Sequence, residues 1–247
     1  MIAAGRHAVY SQARLRCSQL VELSMNKPLW TPDEGRIRQS NLYAFQATVN
    51  ARYGLELGDY WDLHAWSVRC PEQFWCAVWD QCGVIAQTRG DIVLANGDAM
   101  PGASFFPDAR LNFAENLLRR RDGKLAFVFR GEDQVERSMT YQQLYELVRG
   151  MAEALRTRGV GKGDRVGGYL PNMPETIAAM LATVSLGATW SSCSPDFGVQ
   201  GVVDRFGQIE PKVMFCADGY FYNGKTIDSL DKAAGIQAAV PSITDII

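Results

Sequence analysis

Histidine is scarce in this 247-residue sequence: only His7 and His64 occur. Chemistry built on imidazole, whether general base or metal ligand, has little to draw on. Cysteine is present at positions 17, 70, 76, 82, 193 and 216, but no C-x-x-C pair is formed. Cys70, Cys76 and Cys82 recur at a regular interval that fits no zinc-ligand pattern. The thiols read as reduced core cysteines of a cytoplasmic protein, and no metal site is expected. An excess of one charge is also missing, since 25 Lys+Arg face 27 Asp+Glu. That balance excludes a general nucleic-acid binder or a polybasic membrane binder. No run of about 18 apolar residues occurs, so no membrane-spanning helix is expected.

What is there divides into three stretches. Residues 1–24 carry Arg6, Arg14 and Arg16 against one acid, Glu22, with no continuous apolar core. A secretory signal is not expected. A mitochondrial leader and a disordered extension ahead of a start at Met25 both fit, and the second is preferred. The next stretch, to about residue 118, is rich in aromatics: Trp30, Trp61, Trp66, Phe74, Trp75 and Trp79. Pro71 stands where a helix can begin. Phe74, Trp75, Val78 and Trp79 then follow at helical spacing and predict one wide apolar face. The stretch reads as a helical layer covering a larger core. Residues 105–116 read as a loop entering a short helix capped by Asp108.

From Lys124 onward strands and helices alternate. Leu125 to Phe129 reads as a strand, turned by Gly131 and Glu132, with an exposed return from Gln134 to Ser138. Thr140 and Gln143 form a capping box. Leu144, Leu147, Val148, Met151 and Leu155 give the buried face of the helix it opens, and Gly159 ends that helix. A strand follows at 164–170. Asn172 and Pro174 open a second helix with Ile177, Met180, Leu181 and Val184 predicted inside. Gly187 stops it before a strand from Ala188. A helix at 199–208, a strand at 212–216, a helix at 233–239 and the start of a strand at 243–247 complete the order. The fold class is α/β, a mainly parallel sheet with flanking helices, preceded by a helical aromatic-rich cap region. An opening strand at the last residues leaves an unpaired edge, and the chain reads as C-terminally truncated.

Residues 219–226 (GYFYNGKT) match the phosphate-loop pattern G-x-x-x-x-G-K-[ST] letter for letter. Such a loop would cradle phosphates with backbone N–H groups, with Lys225 on the β/γ-phosphates and Thr226 on magnesium. Against it, the variable positions hold Tyr220, Phe221, Tyr222 and Asn223, bulky for a tight nest. The strand also lies late in the order, and no strand ending in Asp follows to hold magnesium. The expectation is that this is not a phosphate loop.

Several runs resemble one family. They are 106–118 (FPDARLNFAENLL), 161–166 (GKGDRV), 169–172 (YLPN), 179–182 (AMLA), 187–198 (GATWSSCSPDFG), 203–212 (VDRFGQIEPK) and 222–225 (YNGK). Together they resemble the adenylate-forming acyl-CoA synthetases, on the side of the acetoacetyl-CoA rather than the acetyl-CoA synthetases, from about Leu29 onward. The resemblance implies a first βα half of an AMP-binding domain over 119–247 and a cap region over 25–118. It implies activation of acetoacetate by ATP and Mg²⁺ to an acyl-adenylate and pyrophosphate, then displacement of AMP by the thiol of CoA. The family's phosphate loop, ribose-binding Asp and catalytic Lys have no match in this sequence. The chain is thus expected to be inactive alone, to bind none of these cofactors tightly, and to carry no catalytic residue.

Two groups of positions carry what binding the resemblance implies. In the acetate relatives a loop after the fourth strand uses two arginines on the phosphates of CoA. The matching positions are Tyr222 and Lys225, flanking Asn223 and Gly224, and only one is basic. A surface lysine on a turn would look the same. Trp190, Ser191, Ser192 and Ser194 end a parallel strand, where open α/β sheets place ligands. Packing and helix capping would use the same residues. Three other readings stay open: an acetyl-CoA synthetase-like short-chain acid ligase, a P-loop nucleotide hydrolase using 219–226, and a noncatalytic remnant.

Overall fold

The computed structural model describes residues 29–132 and 135–247, so the expectation for residues 1–24 lies outside the described residues. The chain divides into two compact units, Met1–Gln81 and Cys82–Ile247.

The first unit is helical. Asp33 caps α1 (Glu34–Arg38), Ser40 caps α2 (Asn41–Tyr53), and Asp59 caps α3 (Tyr60–Arg69), each through a side-chain oxygen that accepts a first-turn N–H. Pro71 opens α4 (Pro71–Cys82), as its fixed φ favours. The unit has its own core of Phe45, Val49, Leu63, Trp66 and Ala77. Phe74 meets Phe45 and Trp66 edge-on, with ring centroids 5.9 and 6.0 Å apart. The expected apolar face of α4 is narrower than its sequence pattern. Phe74, Ala77 and Val78 pack inward, three and four residues apart, while Trp75 is 41% exposed. The wide face predicted from Phe74, Trp75, Val78 and Trp79 counted aromatic character, whereas Trp75, one residue on from Phe74 and two before Ala77, falls at the margin of the face those residues share with Val78.

The second unit opens with a short ladder of β1 (Leu94–Ala95) and β2 (Ser104–Phe105). Asn112, not Asp108, caps α5 (Phe113–Leu117): its carboxamide oxygen accepts from Glu115 N–H at 3.2 Å. The same amide donates to the Val184 carbonyl at 2.8 Å, a tertiary bond that local sequence reading could not reveal. β3 (Leu125–Gly131) and β4 (Val135–Thr140) pair antiparallel. The Thr140–Gln143 capping box starts α6 (Tyr141–Thr157), and Gly159, with φ 71°, follows its end.

The centre is a parallel sheet of β5 (Arg165–Tyr169), β6 (Thr189–Cys193), β7 (Val213–Cys216) and β10 (Asp245–Ile246), in the order β10-β7-β5-β6. Side chains alternate between its faces. Val166, Val213 and Phe215 join α6 and α7 (Pro174–Ser185) on one side. Tyr169 and Met214 join α8 (Val199–Ile209) and α9 (Leu230–Ala239) on the other. Covered on both faces, β7 (VMFC) reads as an apolar run, whereas the edge strand β6 (TWSSC) carries polar residues. The predicted inner face of α7 is displaced. Ala178, Ala179, Leu181, Ala182 and Thr183 are buried, while Ile177, Met180 and Val184 are half-buried. Small residues let α7 approach its neighbours closely, and the larger Ile177 and Met180 sit at the margin, lining a cavity. Among the described residues, no helix is long and apolar enough to cross a membrane.

Candidate functional site

Open parallel sheets offer ligand sites beyond the carboxyl ends of their strands. Here that end is formed by Tyr169 of β5, Cys193 of β6 and Cys216 of β7, with the loops that follow them. Trp190 packs closely against Gly168: a Cβ there would stand 2.5 Å from the indole ring. The ring also meets Phe215, with centroids 6.1 Å apart. Trp190, Ser192 and Ser194 line a cavity of about 360 Å³ with Leu170, Asn172 and Thr176. Ser191 does not belong with them. The two-residue period of a strand points it to the opposite face, where it lines a separate cavity with Arg165, Thr189 and Gln208. Ser191 thus lines a different cavity from Trp190 and Ser192.

The loop after β6 is fixed by two tyrosines. Tyr169, fully buried, donates its hydroxyl to the Pro195 carbonyl at 2.7 Å, with the Phe197 carbonyl a second acceptor at 3.1 Å. Tyr220 donates to the Asp196 carboxylate at 3.0 Å, and Ser194 donates to its other oxygen at 3.1 Å. Burial, then the neighbouring Tyr220, pushes the Tyr169 hydroxyl up to about 12. Burial and the Asp196 hydrogen bond raise Tyr220 as well. Sequence reasoning missed Tyr169, Tyr220 and Asp196. The available signal was a tyrosine inside an apolar strand, whose hydroxyl must find acceptors when buried.

The GYFYNGKT run forms a hairpin, not a loop into a helix. β8 (Gly219–Tyr222) pairs antiparallel with β9 (Lys225–Asp228), placing Phe221 opposite Thr226 and Tyr222 opposite Lys225. Asn223 and Gly224 make the two-residue turn with φ of 50° and 71°, the left-handed pair that such a hairpin requires. Thr226 is a strand residue, and α9 does not begin until Leu230. The helix N-terminus that a phosphate loop depends on is not supplied here.

The hairpin tip is instead met by a carboxylate. Glu132, at the turn after β3, accepts the Asn223 N–H at 2.6 Å and the Gly224 N–H at 3.2 Å, one on each oxygen. Lys225 is exposed and forms no ion pair among the described residues. Beside the tip a cavity of about 500 Å³ is lined by Phe129, Glu132, Arg137, Asn172, Tyr220 and Tyr222. Arg137 is committed to Glu175 through two bonds of 2.7 and 2.8 Å. Burial pushes the Glu175 carboxyl up, but the Arg137 guanidinium and the Glu175 backbone N–H outweigh it and hold the group below its ordinary value.

This surface brings together aromatic side chains (Phe129, Tyr220 and Tyr222) and a pair of backbone N–H donors held by Glu132. The nearby thiols are held protonated. Burial raises Cys193 against the pull of Arg205, and burial followed by Asp218 takes Cys216 up to about 11. Among the described residues, no three or more His, Cys, Asp or Glu side chains converge to hold a metal.

Comparison with known proteins bears on these features. A family model described as AMP-binding enzyme matches residues 113–246, and one described as acetyl-coenzyme A synthetase N-terminus matches residues 60–117. Over 223 residues, 90% of the chain, it is 49% identical to the acetoacetyl-coenzyme A synthetase of Rhizobium meliloti (strain 1021), of which it covers 34%. Over 239 residues, 95% of the chain, it is 38% identical to the acetoacetyl-CoA synthetase of Rattus norvegicus, of which it covers 35%. The solved acetoacetyl-CoA synthetase from Streptomyces lividans superposes with a TM-score of 0.83 at 41% identity, covering 90% of this chain and 35% of that one. The chain thus spans about a third of the length of the curated relatives it matches.

Proposed function

Because the chain belongs to the AMP-binding enzyme family, we propose that it supplies the N-terminal part of an acetoacetate–CoA ligase. In that reading residues 25–118 form the cap region and 119–247 the first βα half of the AMP-binding domain. The complete enzyme works in the cytoplasm, joining ATP, acetoacetate and CoA with Mg²⁺ to give AMP, pyrophosphate and acetoacetyl-CoA. The observation that carries the reading is the similarity to acetoacetyl-CoA synthetases over nine-tenths of the chain. This chain's own contribution is to binding. The tip of the β8–β9 hairpin, with Lys225, meets a phosphate of CoA, and the end of β6, through Trp190, Ser192 and Ser194, faces the ligand path. No step of adenylation is assigned to its residues.

Two experiments test this. The chain alone, given ATP, acetoacetate and CoA, is expected to release no AMP above blank; steady acetoacetate-dependent release would refute inactivity. A chimera joining this chain to the remaining two-thirds of the Rhizobium relative is expected to prefer acetoacetate to acetate. In that chimera Lys225→Ala should raise KM for CoA about tenfold, since a partly exposed charge-assisted contact is worth roughly 1–2 kcal/mol. Acetoacetate-dependent ATP–pyrophosphate exchange should stay unchanged. Equal slowing of both half-reactions would assign Lys225 to the fold or to ATP.

A further inference from the structure

The contact between Glu132 and the hairpin tip joins two turns separated by 91 residues of sequence. Glu132 itself has φ 50°, the left-handed region that a residue with a Cβ seldom adopts. Asn223, across from it, has the same φ, and Gly224 follows at 71°. This arrangement turns two successive N–H groups outward as a pair, and the pair holds one carboxylate by both oxygens. Successive backbone N–H groups exposed in a turn form a concavity that can bind an anion. The tip therefore already reads an anion, and that anion belongs to the chain itself. Glu132 has no cationic partner among the described residues, and Lys225 next to the turn is uncommitted.

We propose that Glu132 is a built-in competitor at an anion site made by the Asn223 and Gly224 N–H groups, and that a phosphomonoester ligand must displace it. The proposal rests on the reading that this tip meets a phosphate of CoA. A dianionic phosphate and the Glu132 carboxylate cannot share the two donors, because each N–H supplies one proton and the like charges repel. Displacement also moves a residue that lines the adjoining cavity. Glu132 would then set a threshold: an anion that brings only charge competes poorly, while one attached to a ring that reaches Phe129 and Tyr222 gains a second contact.

The test uses the full 247-residue chain and adenosine 3′,5′-bisphosphate, the phosphorylated end of CoA, with binding followed by amide NMR at Asn223 and Gly224. Inorganic phosphate and adenosine serve as separate arms. Thermal melting checks that every variant folds. Glu132→Ala is expected to bind the bisphosphate about tenfold more tightly than the parent, since one charge-assisted competitor is removed. Glu132→Gln should fall between them, and Lys225→Ala placed on Glu132→Ala should reverse the gain. Adenosine alone should not distinguish the proteins. Equal affinity of parent and Glu132→Ala, with both weakened by Lys225→Ala, would overturn the competition and leave the CoA reading standing. Weaker binding by Glu132→Ala would make Glu132 a support for the turn and also overturn it. If Lys225→Ala changed nothing and neither amide shifted, both the inference and the CoA reading of this tip would fall.

Discussion

The hydroxyl of Tyr169, at the end of β5, donates to the carbonyl of Pro195, which follows β6, across 2.7 Å. This bond ties the loop that carries Ser194 and Asp196 to the centre of the sheet. Tyr169→Phe is expected to lower stability by about 1–2 kcal/mol, because the buried carbonyl loses its nearest donor. Tyr220→Phe should cost less, because the Tyr220 hydroxyl binds at the surface. Urea unfolding of the two variants measures both, and a Tyr169→Phe protein as stable as its parent would refute the ranking.

The same hydroxyl predicts loss of stability in alkali. Its folded value near 12 lies above the ordinary tyrosine value of about 10, so folding favours the neutral phenol. Its contribution is complete below pH ~10 and is lost as pH rises from there towards 12. Tyr169→Phe should flatten the stability profile in that window. An unchanged alkaline slope would show that other groups set it.

Arg137 and Glu175 predict the opposite behaviour in acid. Glu175 is held below its ordinary value, so its contribution is present above about pH 4.3 and is lost as pH falls through the lower folded value. It sits in the first turn of α7, where the helix N-terminus favours negative charge. Arg137→Ala should cost about 1 kcal/mol, as for a partly exposed pair, and make the acid slope shallower. Denaturant midpoints between pH 3 and 6 (roughly the range over which carboxylates titrate) would reveal it.

Gly168→Ala should be among the most damaging small substitutions. The new Cβ would meet the Trp190 ring at 2.5 Å, and a rigid indole packed on Phe215 cannot yield cheaply. A loss of about 2–3 kcal/mol is expected, in the range for overpacked cores. Trp190→Ala added to Gly168→Ala should cost less than the sum of the two single changes. Additive losses would place the strain elsewhere.

Thr226→Ala tests the hairpin against the phosphate-loop reading. A strand residue opposite Phe221 has no magnesium to hold, so the change should leave Mg-ATP affinity as it was. Calorimetric titration showing tight Mg-ATP binding, abolished by Thr226→Ala, would restore the nucleotide-hydrolase alternative.

The amino-acid sequence by itself determined the features that depend on near neighbours. Thr140 and Gln143 lie three residues apart, so their capping box needs nothing from the rest of the fold. Gly159 and Gly187, both with left-handed φ, mark helix ends by their own conformational freedom. The strands read at 164–170 and 212–216, separated by helical patterns, already implied a parallel sheet. The family resemblance likewise lay in contiguous runs of residues. Tertiary structure alone decided which residues meet. The hydroxyl of Tyr169 finds Pro195, and the carboxylate of Glu132 finds the N–H groups of Asn223 and Gly224. Ser191 and Ser192, adjacent in sequence, were parted to opposite faces by the pleat. GYFYNGKT satisfies a phosphate-loop pattern in letters but closes as a hairpin, since its Asn-Gly turn and cross-strand partners fix a ladder where the pattern demands a helix start. A short pattern records residue types and spacing, whereas a binding site depends on the directions of N–H groups and side chains, and those are set by packing between segments far apart in the chain.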